Sequence, residues 1–365
     1  MGLQVRAGLA LLLASAGLVV GCNLSGPTAL SSGRLAYNEV IQATEMEQLL
    51  LNLVRLRYVE PPVFLQIGGV TAQYELKGIM GLSADVPNRQ SAAGTVFKPK
   101  LEASYAEKPT VSLSPLQGAN FAESFYAPID PRTLLYLGYS GWSLERILML
   151  CVRHLNDLPN QPALRPGSKR TVKDFRRAAH LCGLLQARGQ LLVAADLTAD
   201  KADASGKATV ETKFLLSGEG PELAELRELL GLDPGLEVVP LTAQMRSAAP
   251  KGLAVGTRSL MRVLSMLARG VEVPAEDRDV VYADVRGDGE TFGFQEAIRD
   301  MWRIRSDAIS GPGPLVEIDY RGHTFWIDDA DEETKATFVL LHQLYGIQTG
   351  HLAPNLPLIT LSAGG

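Results

Sequence analysis

Residues 63–114 restrict the fold of this chain more than any other stretch. In VFLQIGGVTAQYELKGIMGLSADV, Val70, Ala72, Tyr74 and Leu76 recur at every second position. In VFKPKLEASYAEKPTVSLSPLQG, Leu101, Ala103 and Tyr105, then Val111 and Leu113, do the same. A period of two belongs to a strand with one apolar face. The polar segment PNRQSAAG (residues 87–94) separates the two runs. The pattern predicts two long strands, or four shorter ones, folded as a hairpin. Its Gly, Ser and Ala content leaves the sheet little core of its own, and an isolated two-stranded hairpin is marginal in water. It therefore needs the rest of its domain, another subunit or a membrane.

The N-terminus points toward a membrane. Arg6 precedes an uncharged run from Ala7 to Val20, too short to span a bilayer as a helix, and the run ends Val19-Val20-Gly21-Cys22. This predicts a signal peptide over 1–21 with a lipobox, the small Gly21 lying beside the scissile bond. Cys22 then carries acyl chains and becomes the mature N-terminus. Several chains on one cysteine anchor stably where one alone is marginal. Asn23, rather than Asp, at the next position favours the outer membrane by analogy with bacterial sorting. The small, polar NLSGPTALSSGR that follows reads as a tether, so residues 22–36 form a lipidated linker.

Charge excludes one class of partner. The net charge is −5 with no basic block, and nucleic-acid binding needs clustered Lys and Arg. The length, 365 residues, fits two or three domains or one with insertions. No second apolar run is long enough for a spanning helix. Cys151 and Cys182 lie on apolar helical faces and read as buried free thiols rather than a disulfide framework.

Along the chain, Met46, Leu49, Leu50, Leu53 and Leu56 predict an amphipathic helix over 43–58, stopped by Pro61-Pro62. A helix is expected over 143–155 with Leu144, Ile147, Leu148, Cys151 and Leu155 on one stripe. Residues 156–169, rich in Pro and Asn, read as a linker and domain boundary. Beyond it come a helix over 172–188 capped by Thr171 and ended by Gly189, strands over 190–197 and 209–217, a helix over 222–230 and a strand over 236–241. A similar order follows: a helix over 257–269, an insertion, a hairpin across Arg321-Gly322, a helix over 331–345 and a strand over 356–361. The expected class is α+β: an N-terminal helix plus a long β-hairpin region over 37–158, then one or two αββαβ units, at 170–245 and, with an insertion, at 250–365.

Several motifs suggest chemistry but read better as structure. Gly138-Tyr139-Ser140-Gly141-Trp142 resembles a nucleophile turn, but Trp142 is too bulky for it, so a capping turn using Ser140 or Ser143 is expected. Cys151-x-x-His154 and His180-x-Cys182 offer zinc-type ligands, yet positions 180 and 182 point in different directions on a helix. The acidic run at Asp328, Asp329, Asp331, Glu332 and Glu333 lacks the pattern of a calcium loop. It opens a helix, with Asp329 and Glu332 as a capping box. Gly287-Asp288-Gly289 is no phosphate loop. No catalytic residue, metal ligand or cofactor is expected, and Cys22 is the one assigned site, for lipidation.

Tyr37-Asn38, EQLLLNLVRLRY, PTVSLSPLQG, SGWSLERI, TRSLMRVL and YRGHTFWIDDADEETKATFVLLHQL resemble segments of a family of uncharacterised bacterial lipoproteins. The resemblance covers most of the mature chain and implies an exported, lipid-anchored protein without implying an activity. The αββαβ order by itself resembles the ring-building domains of secretion-system lipoproteins, which associate side by side in the periplasm. The expected function is that of a lipid-anchored cell-envelope protein on the periplasmic side of the outer membrane. Its role is structural or in assembly, as an oligomeric scaffold or ring, and not enzymatic. Its partners are the membrane, copies of itself and other envelope proteins. Two alternatives stand beside it: an oligomeric outer-membrane pore using the 63–114 hairpin, and an enzyme with a dispersed site. Against the pore, Lys77, Lys98, Lys100, Glu102 and Glu107 crowd the hairpin and must face water or a lumen.

Overall fold

The computed structural model describes residues 33–85, 96–160, 170–202, 208–242, 252–281, 298–309, 311–350 and 359–362. The signal peptide and Cys22 lie outside them, as do most of the tether and Gly287-Asp288-Gly289.

The first helix, α1, occupies residues 33–57. It begins ten positions earlier than its apolar stripe suggests. Residues 33–44 are largely exposed, with Leu35 and Val40 open to solvent, so that part of the helix has no buried face for periodicity to reveal. Leu49 of the stripe is buried, Leu50, Leu53 and Val54 are fully covered, and Leu56 is half-buried. Strands β1 (Leu65–Asp85) and β2 (Val96–Pro115) follow as one antiparallel hairpin rather than four short strands. Two short helices come next, α2 (Ala119–Tyr126) and α3 (Pro131–Tyr139). The second has a legible start signal, since Asp130 accepts from Arg132 N–H and Pro131 fills the first turn.

The helix expected over 143–155 is shorter. It is α4 (Leu144–Cys151), and the chain then turns extended as β3 (Val152–Leu155) and β4 (Leu158–Pro159). The apolar stripe continues into the strand because both elements are buried, so periodicity alone does not mark the change. Then come α5 (Val172–Ala187), β5 (Leu191–Ala202), β6 (Ala208–Leu216), α6 (Pro221–Leu230) and β7 (Val238–Thr242), in the expected order. Thr171 and Asp174 form a capping box at the start of α5. A further strand, β8 (Leu253–Thr257), precedes α7 (Leu260–Leu267) where a longer helix was expected. The chain continues as β9 (Arg305–Ser306), β10 (Pro314–Tyr320), β11 (His323–Asp328), α8 (Glu332–Thr349) and β12 (Ile359–Ser362). The β10–β11 turn falls at Arg321-Gly322, both with positive φ, as a two-residue hairpin loop requires.

The fold class is α+β. One six-stranded sheet has the order β4-β3-β8-β7-β6-β5, antiparallel except where β7 meets β8. This sheet runs across the stretch expected to separate residues 37–158 from 170–245. Within that stretch Leu158 and Asn160 are buried, and residues 161–169 lie outside the described residues. Chain compactness divides the molecule into residues 1–62 with 263–343, and residues 63–262 with 344–365.

The αββαβ order recurs toward the C-terminus, but the last strand does not close the same sheet. β12 pairs with β2 of the long hairpin, while β10, β11 and β9 form a sheet of their own. In the first unit, α1 supplies Leu50 and Leu53 to a core that also holds Trp302, Trp326, Phe325 and Phe338. Trp302 stacks on Phe338 at 6.1 Å and donates its indole N–H to the Leu267 carbonyl at 2.7 Å. In the second unit, Phe64, Phe125 and Tyr345 cluster with ring separations of 5.0 to 6.1 Å at the base of the hairpin.

Candidate functional site

The hairpin is the most distinctive surface of the chain. Its register runs without interruption from Gly69↔Ser112 to Asp85↔Val96, after one bulge between Ile67 and Gly69. The bulge moves later positions to the opposite face from those before it. From there the even positions of β1 share a face with the odd positions of β2. That face pairs Val70 with Val111, Leu76 with Tyr105, Gly78 with Ala103, Met80 with Leu101 and Ala84 with Phe97. Its one charged position is Glu107, paired with Tyr74 near the base. The opposite face pairs Gln73 with Lys108, Lys77 with Ser104, Ile79 with Glu102, Gly81 with Lys100 and Ser83 with Lys98.

The five charges that counted against membrane contact thus do not scatter. Lys77, Lys98, Lys100 and Glu102 occupy one face, and Glu107 alone sits on the other. Sequence periodicity pointed to the apolar face but not to this pairing, because the match between strands depends on where the turn falls.

The hairpin's edges are also open. β12 covers β2 only from Thr110 to Leu113. Among the described residues no strand lies beside β1, and none beside β2 between Val96 and Pro109. Each open edge is a row of backbone donors and acceptors available to another chain.

The motifs weighed for chemistry are absorbed by the fold. Ser140 donates its hydroxyl to the Tyr136 carbonyl at 2.8 Å, bonding back into α3, and Ser143 makes no side-chain cap. The start of α4 is held by Gln186 of α5 instead. Leu144 N–H donates to its Oε1 at 2.7 Å, and its amide donates to the Trp142 carbonyl at 3.1 Å. The expected serine cap is absent, and a side chain from another helix holds the first N–H of α4 instead. Cys151 and Cys182 are free and fully buried, and burial pushes both thiols up to about 12. They are inert as nucleophiles or ligands at neutral pH. His180 lies beside Glu145 at 3.2 Å, exposed on its helix.

The acidic run is likewise engaged within the chain. Asp328 pairs with Arg305 at 3.0 Å and Asp329 with Lys335 at 2.7 Å. The helix cap is Asp331, which accepts from Thr334 N–H at 3.1 Å, and not the expected Asp329 with Glu332. The helix begins at Glu332, so the capping position falls two residues later than the expected box. Among the described residues no group of His, Cys, Asp and Glu is placed to hold a metal ion.

Two polar assemblies had no sequence signal. In the second unit, Arg258 is buried and forks onto the end of α4. Nη1 donates to the carbonyls of Met149 at 2.8 Å and Leu150 at 3.0 Å, and Nη2 to that of Asn160 at 2.8 Å. Asn160 adds its amide to the Met149 and Val152 carbonyls at 2.9 and 2.7 Å. A buried cation is tolerated here because the helix C-terminus presents unpaired carbonyls and the negative end of the helix dipole. Burial still pushes the guanidinium down to about 10.

In the first unit, Tyr58 donates to Asp277 at 2.6 Å, and Tyr320 donates to Glu60. Arg321 donates to Glu60 at 2.8 Å and lies over the Tyr58 ring at 5.1 Å. The donors Tyr320 and Arg321 hold the Glu60 carboxyl below the usual carboxylate range. A groove of about 500 Å³ in the same unit is lined by Thr44, Glu47, Gln48 and Leu51 of α1 and by Glu317, Ile318 and Asp319 of β10. It brings three carboxylates together but no nucleophile and base. No helix among the described residues is long and apolar enough to cross a membrane. No family model, curated protein or solved structure matches this chain.

Proposed function

We propose that the chain is a lipid-anchored bacterial cell-envelope protein with a structural or assembly role, acting as a ring of identical copies tethered through Cys22 to the outer membrane. The observation that carries the oligomer is the hairpin: about twenty paired rows whose edges, over most of their length, have no neighbouring strand among the described residues. An extended two-stranded ribbon is marginal by itself. Neighbouring copies that add strands to its edges supply the missing hydrogen bonds. The lipobox sequence supports the anchor and, with the resemblance to bacterial lipoproteins, the envelope location. The polar assemblies are structural in this reading and no reaction is assigned.

The test is the mass of the protein extracted from membranes in mild detergent, measured by light scattering. A discrete multiple of the chain mass is expected, and Cys22→Ser should move the protein to the soluble fraction. A single-chain mass at working concentration would remove the ring.

A further inference from the structure

The geometry points to a transmembrane β-barrel built from the hairpins of several copies, with the apolar face against lipid and the charged face lining an aqueous lumen. This rests on the ring reading above and specifies what the copies build. Lipid admits strands only when every backbone group is paired, which requires closure without edges. The hairpin meets each demand made of a barrel wall.

The first demand is alternation. One face carries a single charged position beyond the bulge, Glu107, while Lys77, Lys98, Lys100 and Glu102 share the other. Barrel strands alternate in this way, apolar outward and polar inward.

The second is length. The apolar face from Tyr74 to Ala84 covers the roughly 9–11 residues that a tilted strand needs to cross the hydrocarbon. Tyr74 and Tyr105 lie in neighbouring rows at one end of this band, and Phe97 lies at the other. Aromatic residues at both margins are the usual girdle of a barrel.

The third is the position of the open edges. β12 shields β2 only at Thr110–Leu113, outside the apolar band. Among the described residues no strand lies beside either edge within the band, which leaves both to copies on either side. Each copy brings two strands, and the smallest membrane barrels have about eight, so at least about four copies are needed. Glu107 falls at the Tyr74 row, at the margin of the band, where a carboxylate can reach the headgroup region.

A water-soluble ring explains the open edges equally well, but it assigns no role to the separation of charged and apolar register positions. The experiment separates the two. Full-length protein, sized by light scattering, is reconstituted into planar bilayers of phosphatidylethanolamine and phosphatidylglycerol, and ion current is recorded across a salt gradient. Conductance is expected, and Lys98→Glu with Lys100→Glu should shift the reversal potential toward cation selectivity. A charged thiol reagent should reduce the current of Lys100→Cys and leave that of Leu101→Cys unchanged. Circular dichroism of each variant checks that it folds. A multimer that carries no current overturns the barrel and leaves the ring standing. A single-chain mass overturns both. A current indifferent to charge reversal at Lys98 and Lys100 overturns the assignment of their face to the lumen.

Discussion

Arg258 shows how one side chain can decide where a helix ends. The residue is 3% exposed, and its guanidinium meets the carbonyls of Met149 and Leu150 at the end of the helix and that of Asn160 beyond β4. Lysine carries the same charge but lacks the planar fork that reaches several carbonyls at once. Arg258→Lys should therefore destabilise the protein by about 3 kcal/mol, since each buried polar group left unmet costs about 1–3 kcal/mol. A lowered urea midpoint with an unchanged slope would show this. Nothing in TRSLMRVL marks this arginine as buried, because its partners lie about a hundred residues earlier in the chain.

His154 supplies a pH dependence. Its ring lies against Gly256 so closely that a Cβ there would sit 2.1 Å from Nε2. Burial first, and then the charge of Arg153, lower its pKa below the ordinary histidine value. The folded state thus prefers the neutral ring. As the pH falls through about 6.5, the unfolded chain takes up a proton that the folded chain resists. Stability is full above that pH and is lost below it, at no more than about 1.4 kcal/mol per pH unit. Urea titrations at pH 7.5 and 5.5 should show a loss on acidification that is smaller in His154→Leu. An equal loss in both proteins would assign it to other groups.

At the scale of elements, the hairpin is the most revealing. Its rows from Leu65↔Pro115 to Ala72↔Pro109 adjoin β12 and the aromatic cluster of Phe64, Phe125 and Tyr345. The rows beyond pair only with each other among the described residues. Deleting residues 77–108 should leave the remaining fold with a cooperative thermal transition close to that of the parent, while the detergent-extracted mass falls to one chain. Loss of the transition would mean that the distal rows stabilise the fold itself. The alternation that predicts these strands was legible because an apolar face repeats every two residues. The end of α4, the strand β8 and the cap by Gln186 were not, because each depends on a partner distant in sequence. The cap at Thr171 was legible, since capping is local chemistry.

At the scale of the whole chain, the two compact units are each assembled from segments distant in sequence. A linear reading cuts the chain at composition changes, and the Pro- and Asn-rich stretch after Leu155 looks like a boundary. Asn156 instead bonds the Leu230 and Ala254 backbones at 2.7 and 2.8 Å, so the turn joins parts of one unit. The apparent duplication ends similarly: the order of elements recurs, but β12 joins the hairpin. By itself, the sequence determined the α+β class, the alternating hairpin, the main amphipathic helices and the expectation of a lipid on Cys22. These follow from periodicity and short motifs, which act over a few residues. Only the tertiary structure decided the strand partners, the buried Arg258 and the segregation of the hairpin charges. Those depend on register and on contacts across many residues, where the favourable energy comes from groups that meet only after the chain has folded.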